Sequence, residues 1–117
     1  MAGLHVIGSV VSLVAAALLV AGAGIAALSD RGHDAIRPLI GLVLAVFVAQ
    51  SLIGLVLLLG GGAPSEGLHL LYAIGLVVVI PLAQSFATDA PDRARSVVLA
   101  VAGIIALALA WRLFATG

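Results

Sequence analysis

The sequence predicts an all-α membrane protein, an up-down-up-down bundle of four transmembrane helices. Three observations lead there. Of 117 residues, 64% are apolar and 9% charged, with mean hydropathy +1.38, whereas soluble domains carry about 25% charged residues. So few charges cannot cover a water-facing surface, and the lipid bilayer is the expected solvent. The apolar residues fall into four continuous, helix-length stretches, none with the two-residue alternation of a strand. Short polar loops join them, and short connections favour antiparallel neighbours. Residues 1–117 read as one domain, with helices at about residues 4–28, 38–59, 66–86 and 94–114.

The first segment carries no Asp, Glu, Lys or Arg and exceeds the roughly 20 residues that span a bilayer. It lacks the positive start of a signal peptide and its apolar run is too long for one, so it is expected to be a retained span. Its small residues Ala15, Ala16, Ala17, Ala21, Gly22 and Ala23 suit close helix packing. Residues 29–37, SDRGHDAIR, form a polar loop in which His33 is expected to be solvated. Pro38 then fits the first turn of the second helix, where its missing N–H costs little. Gln50 and Ser51 fall near the middle of that helix, and Gln50 is read as interior glue bonded to a neighbour.

Residues 60–67, GGGAPSEG, break the chain. Ser65 suits an N-cap, with Glu66 facing the positive end of the helix dipole. Pro81 is expected to kink the third helix. Residues 88–95, TDAPDRAR, form the second charged loop. In the last helix Ala102, Ala106 and Ala110 make a small-residue stripe, and Trp111 and Phe114 suit a membrane interface.

Arginine counts set the orientation. Arg31, Arg37, Arg93 and Arg95 lie on one side and Arg112 on the other. Basic residues stay cytoplasmic, so both termini and the Gly-rich turn are expected on the outer side of an inner or cell membrane. Cysteine is absent, which excludes disulfides and thiolate sites. No basic patch suits nucleic acid, no span holds the mid-membrane acid or base of an ion relay, and GGGAPSEG lacks the Lys of a phosphate loop.

His5 and His69 each open a helix on the outer side, within about a turn of its start. At ~1.5 Å rise per residue they share a depth. Helices one and three are diagonal partners in such a bundle, so two imidazoles can face each other, as a six-coordinate haem iron requires. Gly8 and Ser12 near His5, and Tyr72 and Ala73 near His69, lie on the same helix faces. Small side chains there leave room for a flat macrocycle. Arg112 returns to this side and suits a haem propionate. Each histidine alone also reads as an interfacial residue, and the matched depth sets the two readings level. A zinc site would need ligands beyond Glu66.

Gln50, Leu52-Ile53-Gly54, the Gly-rich turn with Pro64, and Leu68-His69-Leu70-Leu71-Tyr72-Ala73 resemble the haem A synthase family. The resemblance covers one four-helix half of that family over nearly the whole chain, with a motif core of about 25 residues. It implies haem b as cofactor with His69 and His5 as its ligands. In the catalytic half of the family the first histidine is followed by Arg and preceded one turn earlier by a functional Glu. Here Val6 and Ala2 stand there, so the resemblance implies haem binding more than oxidation chemistry. Small four-helix haem proteins of the copper-resistance D and cytochrome b561 kinds look similar at this level. The expected function is electron transfer, alone, as a homo-oligomer or within a larger membrane redox complex. The alternatives are a half-length synthase-like oxidase, with Glu66 as its one outer-side acid, and a cofactor-free accessory or assembly subunit.

Overall fold

The computed structural model describes residues 2–61 and 68–116. Four helices account for nearly all of them: α1 (Ala2–Ser29), α2 (His33–Leu59), α3 (His69–Phe86) and α4 (Asp92–Thr116). No strand occurs among the described residues. All four helices are long and apolar enough to cross a membrane. The expected Ser65 cap and the first-turn position of Glu66 lie outside the described residues.

Helix neighbours run antiparallel, as side-chain contacts along each seam show. Between α1 and α2, Gly22 faces Leu39 and His5 faces Gly54. Between α1 and α4, Ala27 meets Arg93 and Val20 meets Gly103. Between α3 and α4, Gly75 meets Leu109 and Tyr72 meets Arg112. The α1–α4 seam is the most extensive, while α2 and α3 touch least of the adjacent pairs. The core lies on the axis, with Leu19, Val43, Phe47, Leu76 and Ile80 fully or almost fully buried. Ala16, Ala23, Ala102, Ala106 and Ala110 are buried too. In lipid such contacts hold by close van der Waals fit rather than by expulsion of water. Large apolar side chains such as Leu18, Ile25, Leu42, Leu52, Leu82 and Ile104 point outward along all four helices.

Helix ends differ from the hydropathy reading at the polar loops. α2 begins at His33, five residues before the expected Pro38, so Pro38 lies inside the helix rather than at its start. Gly32 adopts a left-handed φ of 75° and accepts a bond from the Ala35 N–H, which closes the turn. Asp34 sits in the first turn, where a carboxylate favours the helix dipole. Hydropathy marks where the apolar run starts, whereas the helix continues past it into polar sequence. α4 likewise starts at Asp92, directly after Pro91.

His33 is not solvated. Its side chain is 15% exposed. In the neutral ring Nε2–H donates to the Asp30 carboxylate at 2.8 Å, and the buried Ser96 hydroxyl donates to Nδ1 at 2.6 Å. The α1–α2 turn is thereby tied to α4, and Arg93 adds a second tie by donating to the Ala27 carbonyl at 2.8 Å. Ser96→Ala should lower stability in detergent by about 0.5–1.5 kcal/mol, the net worth of one such bond. Unfolding at the wild-type denaturant midpoint would refute that tie.

Candidate functional site

Three helix faces converge at the end of the bundle opposite the charged loops. His5, Ser9 and Ser12 recur at the four- and three-residue spacings that keep side chains on one face of α1. Gln50 and Gly54 share a face of α2, and His69, Ala73 and Leu76 share one of α3. α4 closes the floor with Ala110 and Leu113. Between them lies a half-open cavity of about 710 Å³, walled mainly by leucines and valines of α2 and α3. It forms there because α2 and α3 pack least closely of the adjacent helix pairs.

His5 and His69, carried by diagonal helices, bring their ring centroids within 6.3 Å, with planes tilted by 58°. Both line the cavity. Gly54 is what lets His5 lie against α2, since a Cβ at that position would stand 3.3 Å from the His5 Cε1. Gln50 anchors the same edge of the ring, at Nδ1. Its amide nitrogen lies 3.0 Å from His5 Nδ1, 2.8 Å from the His5 carbonyl oxygen and 2.9 Å from Ser9 Oγ. The Ser9 hydroxyl in turn donates to the His5 carbonyl at 2.9 Å. The Gln50 side chain therefore ties α2 to α1, as glue in the interior. Two buried polar atoms are left without partners, Gln50 Oε1 and Ser12 Oγ. Ser12 is 2% exposed and lines the cavity.

The seven residues expected at the site do not all meet there. His5, Ser12, His69 and Ala73 line the cavity. Gly8 does not. Its missing side chain makes room for the Gln50 amide, whose oxygen a Cβ would strike. Tyr72 and Arg112 also stand off the cavity wall and face each other across the α3–α4 seam. Arg112 Nη2 donates to the Tyr72 hydroxyl at 3.3 Å, and its guanidinium lies 5.4 Å from the ring centre. Ser9, one turn on from His5, and Gly54, within the Leu52-Ile53-Gly54 motif, are visible in the sequence but were given no task at the site. The available signal was the four-residue spacing of His5–Ser9 and of Gln50–Gly54, which puts each pair on one helix face.

All described charged residues except Arg112 lie at the other end of the bundle, in or beside the two polar loops. Chemically, the cavity offers two imidazoles and one unpartnered hydroxyl inside apolar walls. Among the described residues no group of three or more His, Asp or Glu side chains lies close enough to hold a metal ion. A metal held here by the described side chains would take only the imidazole pair, with the remaining positions filled by its own ring or by solvent. Comparison with family models, with characterised proteins and with solved structures returns no match for this chain.

Proposed function

We propose that this chain is a multi-pass membrane protein that holds a b-type haem between His5 and His69 and passes electrons, alone, as a homo-oligomer or within a larger membrane redox complex. One observation carries the reading, the 6.3 Å separation of the two ring centroids across an apolar cavity. A single metal ion bonded to both imidazoles at about 2.1 Å would fit in a gap of that size. The four-helix resemblance to half of the haem A synthase family points the same way.

The chain's own groups have distinct tasks. His5 and His69 would hold the iron, each through one ring nitrogen. Leu57, Leu58, Leu76 and Val77 give the cavity an apolar wall, which lowers the local dielectric. Ser12 offers a hydroxyl to the edge of whatever fills the space. Arg112 supplies a positive charge at this end, held over Tyr72. When bound, haem supplies one-electron chemistry at its iron, with a potential set by these surroundings. An absorption spectrum of the purified protein tests the reading. A Soret band with a sharp reduced α-band supports it, and a colourless preparation from haem-replete cells overturns it.

A cofactor-free accessory subunit is the second reading. It is favoured by the faces of α2 and α3, the least covered of the four helices, which leave room for a partner's helices.

The same proposal places both termini outside the cell membrane. Arg31, Arg37, Arg93 and Arg95 cluster at one end against Arg112 at the other, and arginines are retained on the cytoplasmic side. The chain has no cysteine, so single introduced cysteines report cleanly. Ala115→Cys should react with an impermeant maleimide on intact cells, and Asp89→Cys only after permeabilisation. The reverse pattern would invert the topology.

A further inference from the structure

We propose that Gln50 is a positioning residue that decides which nitrogen of His5 carries the ring proton, and so whether His5 can ligate a metal. The proposal rests on the haem reading for its consequence but not for its geometry.

The two ends of a carboxamide are told apart by their partners. The His5 carbonyl can only accept, and it lies 2.8 Å from the Gln50 amide group. An oxygen there would face an oxygen, so the NH₂ end occupies that position. That NH₂ also lies 3.0 Å from His5 Nδ1. An NH₂ has no lone pair to offer a ring N–H, and its two N–H bonds are shared among Nδ1, the His5 carbonyl and Ser9 Oγ, so Nδ1 is the nitrogen that keeps the lone pair. The proton of the neutral ring then sits on Nε2.

This is the opposite of what a metal needs. With Nδ1 held by Gln50, Nε2 is the nitrogen left for ligation, and it must present a lone pair. Ligating histidines usually donate their other N–H to a carbonyl or carboxylate. For His5 to ligate, its proton must move to Nδ1 and the Gln50 oxygen must turn to accept it, a bond that has to outweigh the approach of that oxygen to the His5 carbonyl. The terminal torsion of Gln is broad and roughly two-fold, so the turn needs no change of helix.

Both settings leave something unsatisfied. As found, Gln50 Oε1 is buried with no partner, against the bare backbone of Gly8. Once turned, the NH₂ takes that unpartnered place and loses the His5 carbonyl and Ser9. Neither setting satisfies the whole amide, and a bound metal tips the choice by its preference for one tautomer. His5 is thereby held in a non-ligating form until haem arrives.

The test uses the full-length protein in detergent, with ¹⁵N-labelled histidine and His5→Ala to assign the signals. In haem-free wild type, Nε2 of His5 should carry the proton and Nδ1 the lone pair. A carboxylate can only accept from Nδ1–H, so Gln50→Glu should reverse this. Haem titration reads the consequence: Gln50→Glu should bind roughly tenfold more tightly, within the range that outer partners of metal ligands command. A proton on Nδ1 in haem-free wild type overturns the proposal, and so does equal haem affinity in the two proteins. Should Gln50→Glu fail to fold, the wild-type spectrum still decides the tautomer. If no form binds haem, the haem reading falls while the nitrogen spectrum still reports on Gln50.

Discussion

Purified from haem-replete cells, the protein should carry an oxidised Soret band and a sharp reduced α-band, and His5→Ala and His69→Ala should each abolish them. The two rings lie 6.3 Å apart on diagonal helices, so each would supply one axial bond. Losing an outer partner of a metal ligand costs roughly 10–100-fold in affinity, and losing a ligand itself should cost more. His33→Ala is the control. His33 is bonded to Asp30 and Ser96 at the opposite end of the bundle, so its removal should leave the spectrum unchanged. An unaltered spectrum in either His5→Ala or His69→Ala would remove that residue from the site. A spectrum lost in His33→Ala as well would point to unfolding rather than ligation.

Gly103→Leu should be the most damaging single change to the bundle. A Cβ at Gly103 would stand 2.9 Å from the Val20 Cγ2, 3.3 Å from the Val20 backbone nitrogen and 3.5 Å from the Leu19 Cγ. The Val20 methyl is stiff about χ1, and a backbone nitrogen cannot step aside. The α1–α4 seam, the most extensive in the molecule, must open instead. Overpacking of this kind costs about 1–3 kcal/mol for added methylenes, and more where backbone must move. Gly75→Leu is the informative comparison. The Cβ there meets only the methyls of Leu109, at 3.3 and 3.8 Å, and a leucine can change rotamer. Thermal melts in detergent should rank wild type above Gly75→Leu and Gly75→Leu above Gly103→Leu. Equal melting of the two variants would mean that the seam is more compliant than its geometry.

Much of the fold was legible before any coordinates. Each of the four helices found overlaps one of the four apolar stretches, and the ends disagree where polar residues extend a helix, as at His33 and Asp92. Hydropathy cannot see such extensions, because Asp34 and Arg37 are as good at prolonging a helix into water as at forming a loop. The same blindness made His33 look solvated. Nothing near it in sequence announces Ser96, its partner on α4.

The candidate site was legible in part. The shared depth of His5 and His69 followed from counting residues along helices of known rise. Gly8 and Tyr72 were grouped with them by helix spacing and Arg112 by its end of the bundle, and the side chains sort otherwise. Gly8 serves Gln50, and Tyr72 serves Arg112.

Length, hydropathy and arginine placement were enough to establish four helices, their alternating course and the two unlike ends of the bundle. Apart from the buried alanine stripe of α4 and the interior Gln50 of α2, which face of each helix looks inward was settled by packing. The reason is physical: helices apolar on every side have no preferred face in their periodicity. Their rotation is set by where alanines and glycines let backbones approach, and by where Gln50 finds His5 and Ser9. That rotation brings two distant imidazoles to 6.3 Å and turns one amide toward a ring nitrogen.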